Sequence, residues 1–298
     1  MGEYRSGATL EVEVPGVSVQ QLRQGSGARV LLANGFLSQS VTGWDRWKRP
    51  VTERYPGHPV SRIRWEAQAL ESLKPLENFL DTGGDPNKLL AEVKTQLLKP
   101  LAAIREGKRP DIPVPGVVLE APAKWAIAKQ RATDTGKALA EAIKNTPDGE
   151  KFILTGFSLG ARVMATAALT LAEQGVTDKI ESLHLIGAAI SQDPKWDKLT
   201  EAVTDGVWNY YSKNDSVLST LYRIAEGGAT PFGLAGSKIE DPKMHDVNCS
   251  NEVFHHRGYL TAISLEEPTP GQKSAGNLEN SGDTPNVASS ENPAETPR

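Results

Sequence analysis

Residues 151–172, KFILTGFSLGARVMATAALTLA, encode a strand, a sharp turn and a helix in direct succession, with Ser158 at the apex of the turn. Lys151 to Thr155 is a short apolar run suited to a buried parallel strand. Ala161 to Leu171 is rich in alanine and leucine, which favour helix. Between them Gly156, Phe157, Ser158, Leu159 and Gly160 spell GxSxG, whose glycines relieve the crowding of a turn that lifts a hydroxyl out of a sheet. An ordinary strand-to-helix turn that keeps its glycines for packing yields the same five residues. The type, order and length of the flanking segments favour a nucleophile elbow.

The bulk properties narrow the setting. A chain of 298 residues is long enough for one large α/β domain or two small ones, and the succession of elements points to one. A net charge of -4 without a basic stripe argues against a nucleic-acid partner. No run of about 18 apolar residues occurs, and the segment MGEYRSGATLEVEV lacks a basic n-region and an apolar h-region, so a cytoplasmic protein without a transmembrane segment is expected. Export without a signal stays open. The single cysteine, Cys249, excludes an internal disulfide and a multi-cysteine metal site, and reads as a small buried hydrophobe. Asn248, Cys249 and Ser250 form a sequon that, without a secretory signal, is coincidental.

Along the chain, residues 8–19 alternate weakly as a strand, and Ala28 to Ala33 is a compact apolar strand ending at Asn34 and Gly35. The stretch NGFLSQSVTGWDRW reads as a loop, and Pro59 to Trp65 as the next strand. The pattern then turns helical: Leu70, Leu73, Leu76, Phe79 and Leu80, followed by Leu89, Leu90, Val93, Leu97, Leu98, Leu101 and Ile104, predict two amphipathic helices. A proline-rich connector, RPDIPVPGVVLEAP, separates them from a helix near Lys124 to Lys144. Later strands are expected at Ile180 to Ile186, Val207 to Tyr211 and Met244 to Asn248, with helices near 195–204 and 216–226 and a last one beginning around Arg257. Strands alternating with helices imply a mainly parallel sheet covered on both faces. From Glu266 the chain carries five prolines and no aromatic residue, too little apolar surface to offset ordering, so residues 266–298 read as a disordered tail.

A serine hydroxyl needs a base to take its proton and a third group to orient that base. With an elbow of this kind the chain order is Ser, then Asp or Glu, then His. Asp215, in the loop after the strand ending at Tyr211, is the first choice for the acid; Asp193, after the preceding strand, is the rival, and either serves equally as a helix N-cap. His58 precedes the elbow, His184 lies within a strand and His245 at the start of the last one, which leaves His255 and His256 as candidate bases. Charge developing on a carbonyl oxygen calls for fixed backbone donors. The N–H of Leu159 is one candidate and that of Phe36 or Leu37, after the strand ending at Ala33, the other; a simple Asn-Gly turn at 34–35 is the competing reading. Histidines and carboxylates nowhere cluster at metal-ligand spacing, and no metal or organic cofactor is implied.

Several segments together resemble one family of the α/β-hydrolase fold, best known from transmembrane and coiled-coil domain-containing proteins. Its marks are NGFL with Trp44 and Trp47, RWEAQAL at 64–70, TGFSLGARV at 155–163, HLIGAAI at 184–190, WNYYSKNDSVLSTLYR at 208–223 and HDVNCSNEVFHHRGY at 245–259. The resemblance covers most of residues 28–262. It implies that the base is the histidine three residues before a tyrosine, which selects His256 with Tyr259 over His255. Two departures stand out: residues 107–125 are proline-rich and charged where family members often carry membrane segments, and His255 replaces a usual glycine.

The expected protein is therefore an α/β-hydrolase domain over residues 1–265 with a helical insertion at about 67–125 before the nucleophile strand. As a serine esterase or lipase-like hydrolase it would cleave a small-molecule or lipid carboxylic ester through Ser158, His256 and Asp215. The insertion is either a lid over an acyl chain or two helices packed on the sheet. Peripheral membrane contact and oligomeric state stay open, as do acyl transfer by the same residues and a non-catalytic scaffold on the same fold.

Overall fold

The computed structural model describes residues 10–35, 44–65 and 116–265. Seven strands form one sheet in the order β1-β3-β2-β4-β5-β6-β7, where β1 is Ser18–Arg23, β2 Arg29–Ala33, β3 Val60–Arg64, β4 Phe152–Phe157, β5 Ile180–Ile186, β6 Val203–Tyr211 and β7 Met244–Asn248. Only β1 runs antiparallel, against β3; the other neighbours pair in parallel. The chain moves from β2 outward to β3, then crosses back over β2 to β4 and continues the other way. Between β2 and β4 the strand succession thus reverses, and the crevice at the carboxyl ends of such a pair is where open α/β sheets bind ligands. Asn34 and Gly35 leave β2 at that point, and Ser158 leaves β4. This mainly parallel sheet flanked by helices, with β4 running into the helix Leu159–Glu173 through a sharp turn at Ser158, is the α/β-hydrolase fold.

Strand alternation sorts the core into two layers. Leu31, Ala33, Leu154, Leu183, Leu185 and Val207 face helices α2 (Gly116–Lys144) and α3 (Leu159–Glu173), whereas Val30, Leu32, Ile153, Phe157, Ile186 and Tyr210 face α1 (Trp44–Arg54) and the short closing helix Tyr259–Ala262. Helix α3 is alanine-rich because it is covered on all sides: nearly every residue from Leu159 to Ala172 is buried. At Gly136 of α2 an added Cβ would lie 2.5 Å from the Val163 carbonyl oxygen, so glycine there lets the two helices touch.

Several elements differ from expectation. The first strand is Ser18–Arg23 rather than 8–19, because Pro15 and Gly16, the latter at φ 80°, turn the chain before pairing begins. Residues from Trp44 onward form helix α1 with Pro50 inside it, where a loop was expected; Trp47, Pro50 and Val51 make its buried face. Helix α2 starts at Gly116, eight residues before Lys124, so the last part of the expected connector is helical. The helices near 195–204 and 216–226 are a 3-10 helix at Pro194–Ala202 and a π turn at Leu218–Tyr222 continuing to Ala225. The amphipathic segments over 70–104 and the tail from 266 lie outside the described residues.

His184, in the middle of β5, is wholly buried. Its Nε2 meets the Tyr55 hydroxyl at 2.6 Å and its Nδ1 the Tyr210 hydroxyl at 3.2 Å, with the ring stacked on Trp208. Burial, reinforced by the Arg54 charge, lowers its pKa to about 3. The folded state therefore keeps this imidazole neutral while the unfolded chain protonates near pH 6.5. Its share of stability is fully present above that pH and is lost progressively as the pH falls toward 3, by roughly 1.4 kcal/mol per unit. Denaturant titrations between pH 7 and 4 should show this slope in the native protein and a slope shallower by one proton in His184→Gln.

Candidate active site

The elbow is visible in the backbone. Ser158 has φ 57° and ψ -121°, a left-handed conformation that costs a non-glycine residue about 1–3 kcal/mol and persists only where its surroundings hold it. They do. Its N–H donates to the Ile186 carbonyl at 2.9 Å, and its carbonyl accepts from Ala161 N at 3.1 Å and Ala189 N at 3.2 Å. The flanking glycines are sterically required: an added Cβ at Gly156 would lie 2.4 Å from the Gly160 carbonyl oxygen, and one at Gly160 would lie 2.1 Å from that of Ala33. The strand-to-helix turn is thereby pressed against the end of β2.

His256 Nε2 stands 2.9 Å from Ser158 Oγ, and His256 Nδ1 stands 2.6 Å from Asp215 Oδ2. All three side chains are buried, Asp215 completely. Asp215 follows β6, and its other oxygen, Oδ1, accepts from Leu218 N at 2.9 Å, so the same carboxylate caps the following turn and faces the imidazole. The loops that carry Asp215 and His256 are stitched together: Ser212 Oγ donates to the Val253 carbonyl at 2.7 Å and Asn214 Nδ2 to the Ser250 carbonyl at 2.6 Å. The His256 ring rests on Phe157, with centroids 4.9 Å apart, and Tyr259 anchors the helix behind it through its hydroxyl to the Gly233 carbonyl at 3.0 Å.

The competing candidates lie elsewhere. His255 is exposed, Asp193 caps the 3-10 helix by accepting from Lys195 N at 3.1 Å, and His245 stacks on Trp208. His58 Nδ1 bonds the Ala28 carbonyl at the opposite, amino-terminal end of β2. Cys249 is buried, its thiol pushed up to about 12 by burial, an inert environment. Leu159 opens α3, where first-turn N–H groups have no acceptor within the helix. Phe36 and Leu37 lie outside the described residues. Among the described residues no three His, Cys, Asp or Glu side chains are grouped to hold a metal ion.

A clamp that sequence reading did not find holds the end of β2. Trp47 Nε1 of α1 donates to the Asn34 side-chain oxygen, and Trp65 Nε1, just after β3, donates to the Asn34 carbonyl at 3.0 Å. Gly35 then passes so close to the elbow that an added Cβ would lie 2.5 Å from Ser158 Cβ.

The family described as "Protein of unknown function (DUF726)" matches residues 60–265, which contain the elbow, the acid loop and the histidine loop. The chain belongs to this family. Among similar proteins, the rice transmembrane and coiled-coil domain-containing protein STS1 (Oryza sativa subsp. japonica) is 32% identical over 146 residues, 47% of this chain and 21% of that protein. A Saccharomyces cerevisiae protein named probable lipase MIL1 is 31% identical over 151 residues, 50% of this chain and 14% of its own length. The DUF726 chain thus spans about a fifth or less of these relatives. Of solved structures, mouse alpha/beta hydrolase domain-containing protein 10 is 13% identical, with a TM-score of 0.39 over 83% of this chain and 88% of that one. Among the described residues of the DUF726 chain no helix is long and apolar enough to cross a membrane.

Proposed function

We propose that this protein is a serine hydrolase of carboxylic esters, with Ser158 as nucleophile, His256 as general base and acid, and Asp215 as the group that orients the imidazole. The observation that carries the reading is the continuous chain Ser158 Oγ, His256 Nε2, His256 Nδ1, Asp215 Oδ2, with spacings of 2.9 and 2.6 Å, on a strained elbow. His256 Nε2 takes the hydroxyl proton as Oγ bonds to the ester carbonyl carbon. Asp215 holds Nδ1–H and stabilises the imidazolium that forms. The N–H of Leu159, with that of Phe36 or Leu37 from the loop after β2, meets the charge on the carbonyl oxygen. The C–O bond then breaks, the alcohol leaves with the proton from His256, and water, deprotonated by the same imidazole, clears the acyl group. The yeast relative's name, probable lipase, favours a lipid or other acyl ester.

A fluorophosphonate probe tests the reading directly. The folded protein should take up one equivalent at Ser158, and a well-folded protein that resists labelling sinks the proposal. Gly35→Ala probes the same geometry without touching a reacting group. Its methyl would crowd Ser158 Cβ at 2.5 Å and Oγ at 3.1 Å, displacing the nucleophile. A shift of about 1 Å costs on the order of a hundredfold in rate, so both labelling rate and kcat/KM should fall by about that factor.

A further inference from the structure

One buried cation near the carboxyl ends of the strands, Arg162, makes no ion pair among the described residues. Arg162 lies one turn beyond Ser158 on α3, about 6 Å along the helix axis, and is 5% exposed. Its Nε donates to the Ala189 carbonyl at 3.3 Å, and its guanidinium lies 6.0 Å from the centre of the Trp196 ring. Among the described residues no carboxylate forms an ion pair with it. The two nearest acids are committed elsewhere: Glu226 accepts from Trp125 Nε1 at 2.6 Å and pairs with Lys129 at 2.7 Å, while Asp193 pairs with Lys195 at 3.5 Å and caps Lys195 N. Buried charges ordinarily sit beside a partner, so an unpaired guanidinium here calls for one.

Its neighbours repeat the pattern. The Tyr222 hydroxyl, 1% exposed, lies beside the guanidinium and Ser191 but reaches full hydrogen-bond geometry with neither. The indole N–H of Trp196, 2% exposed, likewise has no acceptor. A guanidinium and an indole only donate, and a phenol donates readily. Two buried donors without an acceptor, beside a guanidinium that gives one N–H to Ala189, match a group made of acceptors. The link to the elbow is short: Ala189 donates its N–H to the Ser158 carbonyl and receives Arg162 on its own carbonyl.

We propose that Arg162, with the Tyr222 hydroxyl and the Trp196 indole N–H, forms an oxyanion-binding subsite next to the nucleophile, which takes a phosphate or carboxylate group carried by the substrate. Its role as a substrate subsite rests on the hydrolase reading above; its capacity to bind an anion does not. Guanidinium binds both oxyanions through paired N–H donors, so phosphate and carboxylate share one chemistry here. An acidic ester substrate would be held at this group while Ser158 attacks the ester carbon.

The test uses the full chain carrying Ser158→Ala, which separates binding from turnover. Its melting temperature is followed against glycerol 1-phosphate and against butyrate, with ionic strength matched by sodium chloride. A saturable rise with at least one of them is expected, and the affinity should fall by roughly tenfold or more when Arg162→Met is added. Arg162→Lys should fall between, and Tyr222→Phe should weaken binding while keeping the ring. A larger response to glycerol 1-phosphate identifies a phosphate-bearing ester, and a larger response to butyrate an ester with a free acid. No saturable rise in the parent, or equal affinity with and without Arg162, overturns the proposal and leaves Arg162 as a strut for Ala189. Should Arg162→Met fail to fold, Arg162→Lys and Tyr222→Phe decide by the same comparison. Loss of fluorophosphonate labelling would count against the hydrolase and leave this titration unaffected.

Discussion

Replacing Ser158 with alanine is expected to lower kcat/KM for p-nitrophenyl butyrate by about a millionfold, to the level supplied by the backbone donors and binding alone. The change removes the atom that His256 Nε2 faces at 2.9 Å and leaves the rest of the elbow in place. The contacts that hold the strained turn, from Ser158 N to the Ile186 carbonyl and from Ala161 and Ala189 to the Ser158 carbonyl, use the main chain only. Alanine keeps them, so the variant should fold and its loss of rate should report chemistry. Cys249, buried with its thiol pushed up to about 12, offers no substitute nucleophile. A variant that retains a tenth of the native rate would exclude Ser158 as the attacking group.

Parallel strands were legible wherever both faces are buried, because such strands read as unbroken apolar runs. ARVLLA, KFILT and IESLHLI lie within one or two residues of β2, β4 and β5. The edge strand was not. β1 pairs only with β3, carries mostly polar residues and owes its position to that partner, so its own residues hold little signal. Helix α1 was hidden for another reason: WDRWKRPVTER places Trp47 and Val51 four apart and Tyr55 four further on, a helical stripe, but Pro50 and the arginines mask it. Its burial depends on α1 lying against the closing helix, a contact made by residues more than 200 positions away, as in Arg49 to the Ile263 carbonyl.

Chain order was enough to bring Ser158, Asp215 and the pair His255 and His256 into one reading, since a parallel sheet delivers the loops after β4, β6 and β7 to the same edge; the choice of His256 came from the family resemblance. Chain order did not reveal what positions them. Asn34 read as half of an Asn-Gly turn; only the fold shows Trp47 and Trp65 gripping it from two elements, with Gly35 against Ser158. Asp193 and Asp215 were indistinguishable as caps, and Asp215 does cap, through Oδ1. The difference lies in the second oxygen. Asp193 turns its carboxylate to Lys195, Asp215 turns Oδ2 to His256, and that depends on where the base loop returns. Arg162 sat unnoticed inside the motif GFSLGARV because a lone arginine in a helix normally points to solvent.

Asp215→Asn should cost about 10⁴ in kcat while leaving the protein folded. The cap decides which way the new amide faces. Leu218 N–H donates to Oδ1 at 2.9 Å and needs an acceptor there, so the carbonyl of asparagine takes that place and its NH₂ replaces Oδ2, 2.6 Å from His256 Nδ1. An NH₂ donates where the carboxylate accepted, and Nδ1 must then lose its hydrogen. The neutral imidazole is left with its proton on Nε2, facing Ser158 Oγ, and cannot take the hydroxyl proton. Geometry survives and function does not, so the loss should fall on kcat with KM little changed. Asp215→Ala makes the contrast: it leaves the buried Leu218 N–H without a partner, which costs roughly 1–3 kcal/mol of stability besides the rate. Equal rates for native protein and a folded Asp215→Asn would remove Asp215 from the mechanism and return its carboxylate to the single task of capping the turn after β6.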